Sequence, residues 1–82
     1  MAVNYEKLIK DLVKPLVVNP EDLSVEKFSE DAVMLTIQIM VHQDDLGRVI
    51  GKNGRIANAI RTIAYASASR EGKKITINID SF

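Results

Sequence analysis

The sequence predicts an α+β domain of two layers, with helices packed on one face of a three-stranded sheet in the order α-β-β-α-α-β. Three observations carry that expectation. Apolar residues recur at helical spacing near the start of the chain. A strict apolar–polar alternation occupies its middle. Two glycines with two residues between them then divide a short apolar helix from a long one.

Tyr5, Leu8, Ile9, Leu12, Val13 and Leu16 follow each other at three- and four-residue steps, which is one face of a helix. Pro15 lacks an amide hydrogen and clashes one turn back, so the helix is expected to kink there or to end near Lys14. Asn19-Pro20-Glu21-Asp22 reads as a turn. Leu23, Val25 and Lys27 alternate as a short strand, and Ser29-Glu30-Asp31-Ala32 is the expected hairpin turn. Val33, Leu35, Ile37, Ile39 and Val41 alternate with Met34, Thr36, Gln38, Met40 and His42, the strongest strand pattern in the chain.

Asp44 and Asp45 suit the start of a second, short helix, with Gln43 or Asp44 as its cap. Leu46, Val49 and Ile50 give that helix its apolar side, and Gly51 stops it. A third helix is expected from Arg55 to Arg70, roughly 24 Å long at 1.5 Å per residue. Its inward side is read as Ile56, Ala59, Ile60, Ile63 and Ser67, and Gly72 ends it. Ile75, Ile77 and Ile79 alternate with polar residues as the last strand.

Length and composition narrow the function. Eighty-two residues suffice for one domain, taken as 1–82, with no repeat and no low-complexity segment. There is no cysteine, so disulfides and thiolate metal sites are excluded. The amphipathic, acid-bearing start is not expected to be a signal peptide, and no apolar run has the length of a membrane span. A cytoplasmic protein is expected. The net charge is zero, yet the charge is divided. Residues 1–45 hold four basic and nine acidic side chains; residues 46–82 hold seven basic and two acidic. Between Leu46 and Arg70 stand Arg48, Lys52, Arg55, Arg61 and Arg70 with no acid among them.

That positive stretch surrounds Gly51-Lys52-Asn53-Gly54. Glycine admits positive φ and the close approach of another chain. The following helix presents its free N–H groups and positive dipole end at the turn. Lys52 and Arg55 add charge there, so the segment reads as a cradle for a phosphodiester backbone. A nucleotide-binding P-loop does not fit: its first glycine would fall at Leu46, its hydroxyl at Asn53, and a helix, not a strand, precedes the turn.

The element order, with Gly-x-x-Gly between the last two helices, resembles the type II KH domain. The segment Leu46-Gly47-Arg48-Val49-Ile50-Gly51-Lys52-Asn53-Gly54-Arg55 is similar to that family's signature. Together with Ala57-Asn58-Ala59-Ile60-Arg61-Thr62-Ile63 and the overall length, it resembles the KhpA family of small bacterial single-KH proteins. The resemblance spans nearly the whole chain. It implies a grip on about four nucleotides of single-stranded RNA. Gly51 and Gly54 would lie against the sugar-phosphate chain. Lys52, Arg55 and Arg48 would pair with phosphates, and Asn53 would donate to one. The bases would turn into a groove between the helices and the Val33–Val41 strand, floored by Ile50 and Ile56. Four aromatic residues, none near the turn, argue against an RRM, whose sheet stacks bases on rings. Many KH domains carry a large aliphatic residue where Ala57 stands, which implies a shallower groove and weak, broadly specific binding.

The resemblance also implies self-association and pairing with a larger KH protein, KhpB (Jag), in RNA regulation, as a chaperone or post-transcriptional regulator, and in cell elongation, shape and division. Small residues around Ala64, Ala66 and Ala68 suit close packing of the helix on the sheet and equally suit a helix–helix dimer through Ile60, Ala64, Tyr65, Ser67 and Ala68. The competing reading is a dimerising protein-interaction module with weak or partner-dependent RNA contact. No catalytic residue, metal or cofactor is expected. His42, the single histidine, stands among acids adjacent in sequence, a poor ligand geometry, and a surface or capping role suffices.

Overall fold

The computed structural model describes residues 4–82. Helix α1 (Tyr5–Val13) opens on Asn4, whose side chain accepts the Lys7 amide at 3.1 Å. It ends where Pro15 requires: Lys14–Leu16 tighten into a single 3-10 turn and the chain then extends. After a second such turn at Pro20–Asp22 come strands β1 (Ser24–Glu30) and β2 (Met34–Val41). Helices α2 (Leu46–Ile50) and α3 (Arg55–Arg70) lead to β3 (Lys74–Ser81).

The three strands form one sheet in the order β1-β2-β3. β1 pairs antiparallel with β2, and β3 pairs parallel with β2, because the α2–α3 crossover returns the chain to the same end. The register places Leu35 beside Ile75, Ile37 beside Ile77 and Ile39 beside Ile79. The period-two pattern thus gathers its apolar rows on one face. The helices cover that face, and Ile9, Val13, Ile37, Ile39, Val41 and Val49 are wholly buried beneath and among them.

Three local expectations shift. β1 runs to Glu30, past the expected Lys27, with a bulge between Lys27 and Ser29 that leaves Phe28 exposed. The hairpin turn accordingly moves from Ser29–Ala32 to the residues after Glu30. There the Asp31 carboxylate accepts the amides of Val33 (2.8 Å) and Met34 (2.7 Å), and Val33 is turned out to solvent instead of starting the buried row. In α3 the inward residues are Ala57, Ile60, Ala64 and Ala68. Ala59 and Ile63 face outward, and Ile56 and Ser67 lie at the margin.

Two neighbouring polar clusters line one cavity beside the start of α1. Hydrogen bonds from Lys27 and Lys73 bring the Glu30 carboxyl from its ordinary 4.5 to about 2. In the same cavity the Tyr5 hydroxyl donates to Glu71 at 2.7 Å; burial and that bond push the phenol up to about 12. The lowered carboxyl stabilises the fold above its unfolded pKa, and that contribution disappears as pH falls from 4.5 towards 2. The raised phenol contributes below 10 and is lost as pH rises towards 12. Thermal melts across pH should show a plateau between these limits. The acid-side decline should be modest and weakened by salt, because Glu30 is partly exposed, and Glu30→Gln should flatten it.

Candidate nucleic-acid interface

The turn between α2 and α3 has the backbone that its two glycines were expected to permit. Gly51 has φ 76° and ψ 172°, Asn53 has φ 58° and Gly54 has φ 75°. Asparagine tolerates the left-handed region better than most side chains, so Asn53 is suited to its place. The two glycines differ in what surrounds them. A Cβ on Gly51 would lie 2.7 Å from Cγ1 of Ile56, so the turn is drawn against α3 with no room for a side chain. A Cβ on Gly54 would meet only the Asn58 amide nitrogen at 3.9 Å. Gly54 is therefore open on its outer side, and Asn58 stands beside it.

No side chain caps the start of α3, whose N-cap is Gly54 itself. The first N–H groups of the helix thus face the turn without a side-chain acceptor. Lys52, Asn53 and Arg55 are exposed around them. Arg48, also exposed, sits one turn earlier in α2 with its Nε 3.8 Å from Asp45. Ile50 and Ile56 are half-buried next to the turn, so both present apolar surface there.

The groove expected beside the turn has a different wall. β2 is the central strand, and its apolar residues Leu35, Ile37, Ile39 and Val41 are sealed under the helices. The strand that borders α2 and α3 with an open edge is β3, which contributes the partly buried Ile79. Arg61 reaches across from α3 to this edge and donates to the Ile77 carbonyl at 3.3 Å. Ala57 is buried against the sheet. Its small size sets how closely α3 approaches the strands, and it does not floor the groove as its place in the signature suggested.

The expected dimer face is dispersed. Ile60, Ala64 and Ala68 are core residues, buried in the chain's own interior because α3 packs closely on the sheet through its small side chains. Tyr65 lies at the α3–β3 seam, and Ser67 is on the opposite flank, where its carbonyl accepts from the Tyr5 hydroxyl at 3.4 Å. The outward side of α3 is Ala59, Thr62, Ile63 and Ala66.

Two residues acquire roles that local pattern did not reveal. Asp45, expected only to suit the start of a helix, is buried. Burial works against its charge, but the amides of Val18 (3.1 Å) and Asn19 (2.9 Å), the Asn19 side chain and Arg48 outweigh that and hold the carboxyl below its ordinary value. It pins the segment after α1 to the start of α2. Arg61, read only as part of a positive stretch, bridges to β3. His42 does act as a cap: its Nδ1 accepts the Asp44 amide at 3.0 Å and opens a 3-10 turn over Gln43–Asp45, while α2 itself starts from Asp45 with no side-chain cap, where Gln43 or Asp44 was expected to serve. Among the described residues, no group of three or more His, Cys, Asp or Glu is placed to hold a metal, and no helix is long and apolar enough to cross a membrane.

Comparison with known proteins agrees with this architecture. The family described as "KhpA/KhpB, KH domain" matches residues 6–79. RNA-binding protein KhpA of Listeria monocytogenes serovar 1/2a is 50% identical over 74 residues, covering 90% of this chain and 96% of that protein. The protein of the same name from Oceanobacillus iheyensis is 46% identical over 72 residues, covering 88% and 95%. That from Bacillus subtilis is 40% identical over 76 residues, covering 93% of each. No solved structure is a significant match. A helix-flanked Gly-x-x-Gly turn on a β1-β2-β3 sheet with a parallel last strand, together with these similarities, shows that the chain belongs to the KhpA/KhpB family of KH-domain proteins.

Proposed function

We propose that residues 1–82 act as one KH domain that binds single-stranded RNA in the cytoplasm without catalysing a reaction. The observation that carries this reading is the turn at Gly51–Gly54: positive φ at three of its four residues, an uncapped helix start, and exposed Lys52, Asn53 and Arg55 around it. Sugar-phosphate is gripped by Gly51, Lys52, Asn53 and Gly54, with Arg55 and Arg48 in support. Bases turn towards Ile50 and Ile56, against β3 and not β2. Family membership and the names of the relatives point to the same ligand class.

The cationic part of this grip has a measurable signature. Neutralising phosphates of a single strand releases counterions, and log affinity falls with log salt by about 0.7 per phosphate contacted. Three cations (Arg48, Lys52, Arg55) give a slope of about −2. Titrations of a random-sequence RNA 9-mer at several salt concentrations should return that slope, and Lys52→Gln should reduce it by about 0.7. A slope near zero would remove phosphate contact from the account.

Self-association is the second part of the reading. The solvent side of α3 carries Ala59 and Ala66 beside Ile63, which remains 44% exposed. A second copy, or a KhpB/Jag-like KH partner, would cover that surface, and such a complex would serve as an RNA chaperone or post-transcriptional regulator in cell elongation and division. The zero net charge and this apolar surface favour the dimerising module as the competing emphasis. Sedimentation should find a dimer in the wild type and a monomer in Ile63→Glu, with RNA contact at the loop retained by the monomer.

A further inference from the structure

The α3–β3 seam continues well past the turn. Asn58 stands beside Gly54, and Arg61, Tyr65 and Ser69 follow at three- and four-residue steps, so these four side chains form one polar stripe along α3. Arg61 marks its direction, since it bonds the Ile77 carbonyl on the open edge of β3. At the far end the stripe reaches a cavity of about 350 Å³, where Tyr65 and Ser69 face Ile75 and Thr76, with Met34 behind. About 16 Å of helix separates Gly54 from Tyr65 at 1.5 Å per residue.

Several features of this cavity suit a nucleotide. Tyr65 is 44% exposed, so part of its ring is open to stacking. The Lys74 amide bonds inward to Val33, while the Ile77 carbonyl faces the open edge. By the alternation of a strand, the N–H and C=O of Ile75 point the same way as those of Ile77, outward and beside the cavity. They offer one donor and one acceptor, which is what a base edge presents in return. Lys74 is exposed and has no ion-pair partner among the described residues; Lys73 is held by Glu30. No acid lines this cavity, whereas Glu6, Glu30 and Glu71 line the one near Tyr5. An anionic, aromatic ligand fits it, and the stripe connects it to the loop.

We propose that RNA longer than the four nucleotides gripped at the loop runs along Asn58 and Arg61, and that the cavity at Tyr65 takes the base of an additional nucleotide. Tyr65 stacks on that base, the main chain of Ile75 pairs with its edge, and Lys74 meets its phosphate. This rests on the reading of the turn as an RNA grip. The consequence is that affinity depends on RNA length beyond four nucleotides.

The test is an amide-shift titration of ¹⁵N-labelled protein with random-sequence RNA 4-mers and 9-mers. The 4-mers should move only amides around Gly51–Arg55. The 9-mers should also move those of Tyr65, Ser69 and Lys74–Thr76. Tyr65→Ala should abolish the second set and weaken the 9-mer by about tenfold, the scale of one base–aromatic stack, with the 4-mer unchanged. Tyr65→Phe should restore both, since the ring is kept. If 9-mers move only the loop amides, or Tyr65→Ala weakens both lengths equally, the proposal is wrong while the loop reading stands. If Tyr65→Ala instead dissociates a dimer with RNA binding unchanged, the cavity belongs to a protein contact. If neither length moves the loop amides, the reading of the turn falls and this one falls with it.

Discussion

Replacing Gly51 with alanine should lower stability by about 3 kcal/mol, and the melting temperature by roughly 12–24 °C for a chain of this size. Two effects add. At φ 76° and ψ 172° Gly51 occupies a region that side-chain-bearing residues avoid. The new Cβ would also press on Ile56 from 2.7 Å, at the close contact between turn and helix. Gly54→Ala is the control. Its φ of 75° and ψ of 14° are left-handed helical, a strain of about 1–2 kcal/mol, and its Cβ would meet nothing closer than 3.9 Å. Melts followed by circular dichroism should therefore separate two glycines that look equivalent in the motif. Gly51 maintains the turn, whereas Gly54 leaves room for what approaches it. Equal losses from the two substitutions would contradict this division.

The second large effect is at Asp45. Asp45→Ala should reduce the melting temperature by roughly 10 °C or more, because the amides of Val18 and Asn19 would lose their acceptor. Hydrogen exchange at these two amides should accelerate more than elsewhere. Asp45→Asn, which keeps one acceptor oxygen, should show a smaller fall. RNA contact at the loop should persist in the Asn variant, since Asp45 is buried and its hydrogen bonds go to Val18 and Asn19, not to the turn. A melting temperature unchanged by Asp45→Ala would show that the segment after α1 is held by apolar packing alone.

These two sites also show where sequence pattern reaches and where it stops. β2 was legible because strict alternation over Leu35–Val41 has one structural meaning when one face is buried. The end of α1 was legible from Pro15, and the turn at Gly51–Gly54 from its glycines. The inward face of α3 was misphased by one position because the buried residues are Ala57, Ala64 and Ala68, whose apolar signal is weaker than that of Ile56 and Ile63 at the margin and outside. The same ambiguity placed Ile60, Ala64 and Ala68 in a dimer face when they belong to the core. The hairpin turn moved because the Asp31 carboxylate supplies two bonds to the residues that follow, a gain not visible in turn propensities alone. Asp45 was illegible for another reason: its partners Val18 and Asn19 lie 27 and 26 residues away. The groove's wall likewise depended on strand order. Only the parallel return of β3 puts its edge, and not β2, beside the helices.

The central claim is that the exposed tip of the turn holds RNA. Lys52→Asp combined with Asn53→Asp tests it most directly. Both side chains are exposed, and aspartate, like asparagine, accepts the left-handed backbone at position 53, so the fold and the α3 surface should be unchanged. The measurement is crosslinking and RNA recovery from cells, comparing wild type with this variant at equal abundance. RNA should be recovered with wild type and none above background with the variant, because two negative charges would face the phosphates at the tip. Equal recovery from both proteins would contradict the central claim, and would place RNA contact away from Gly51–Gly54.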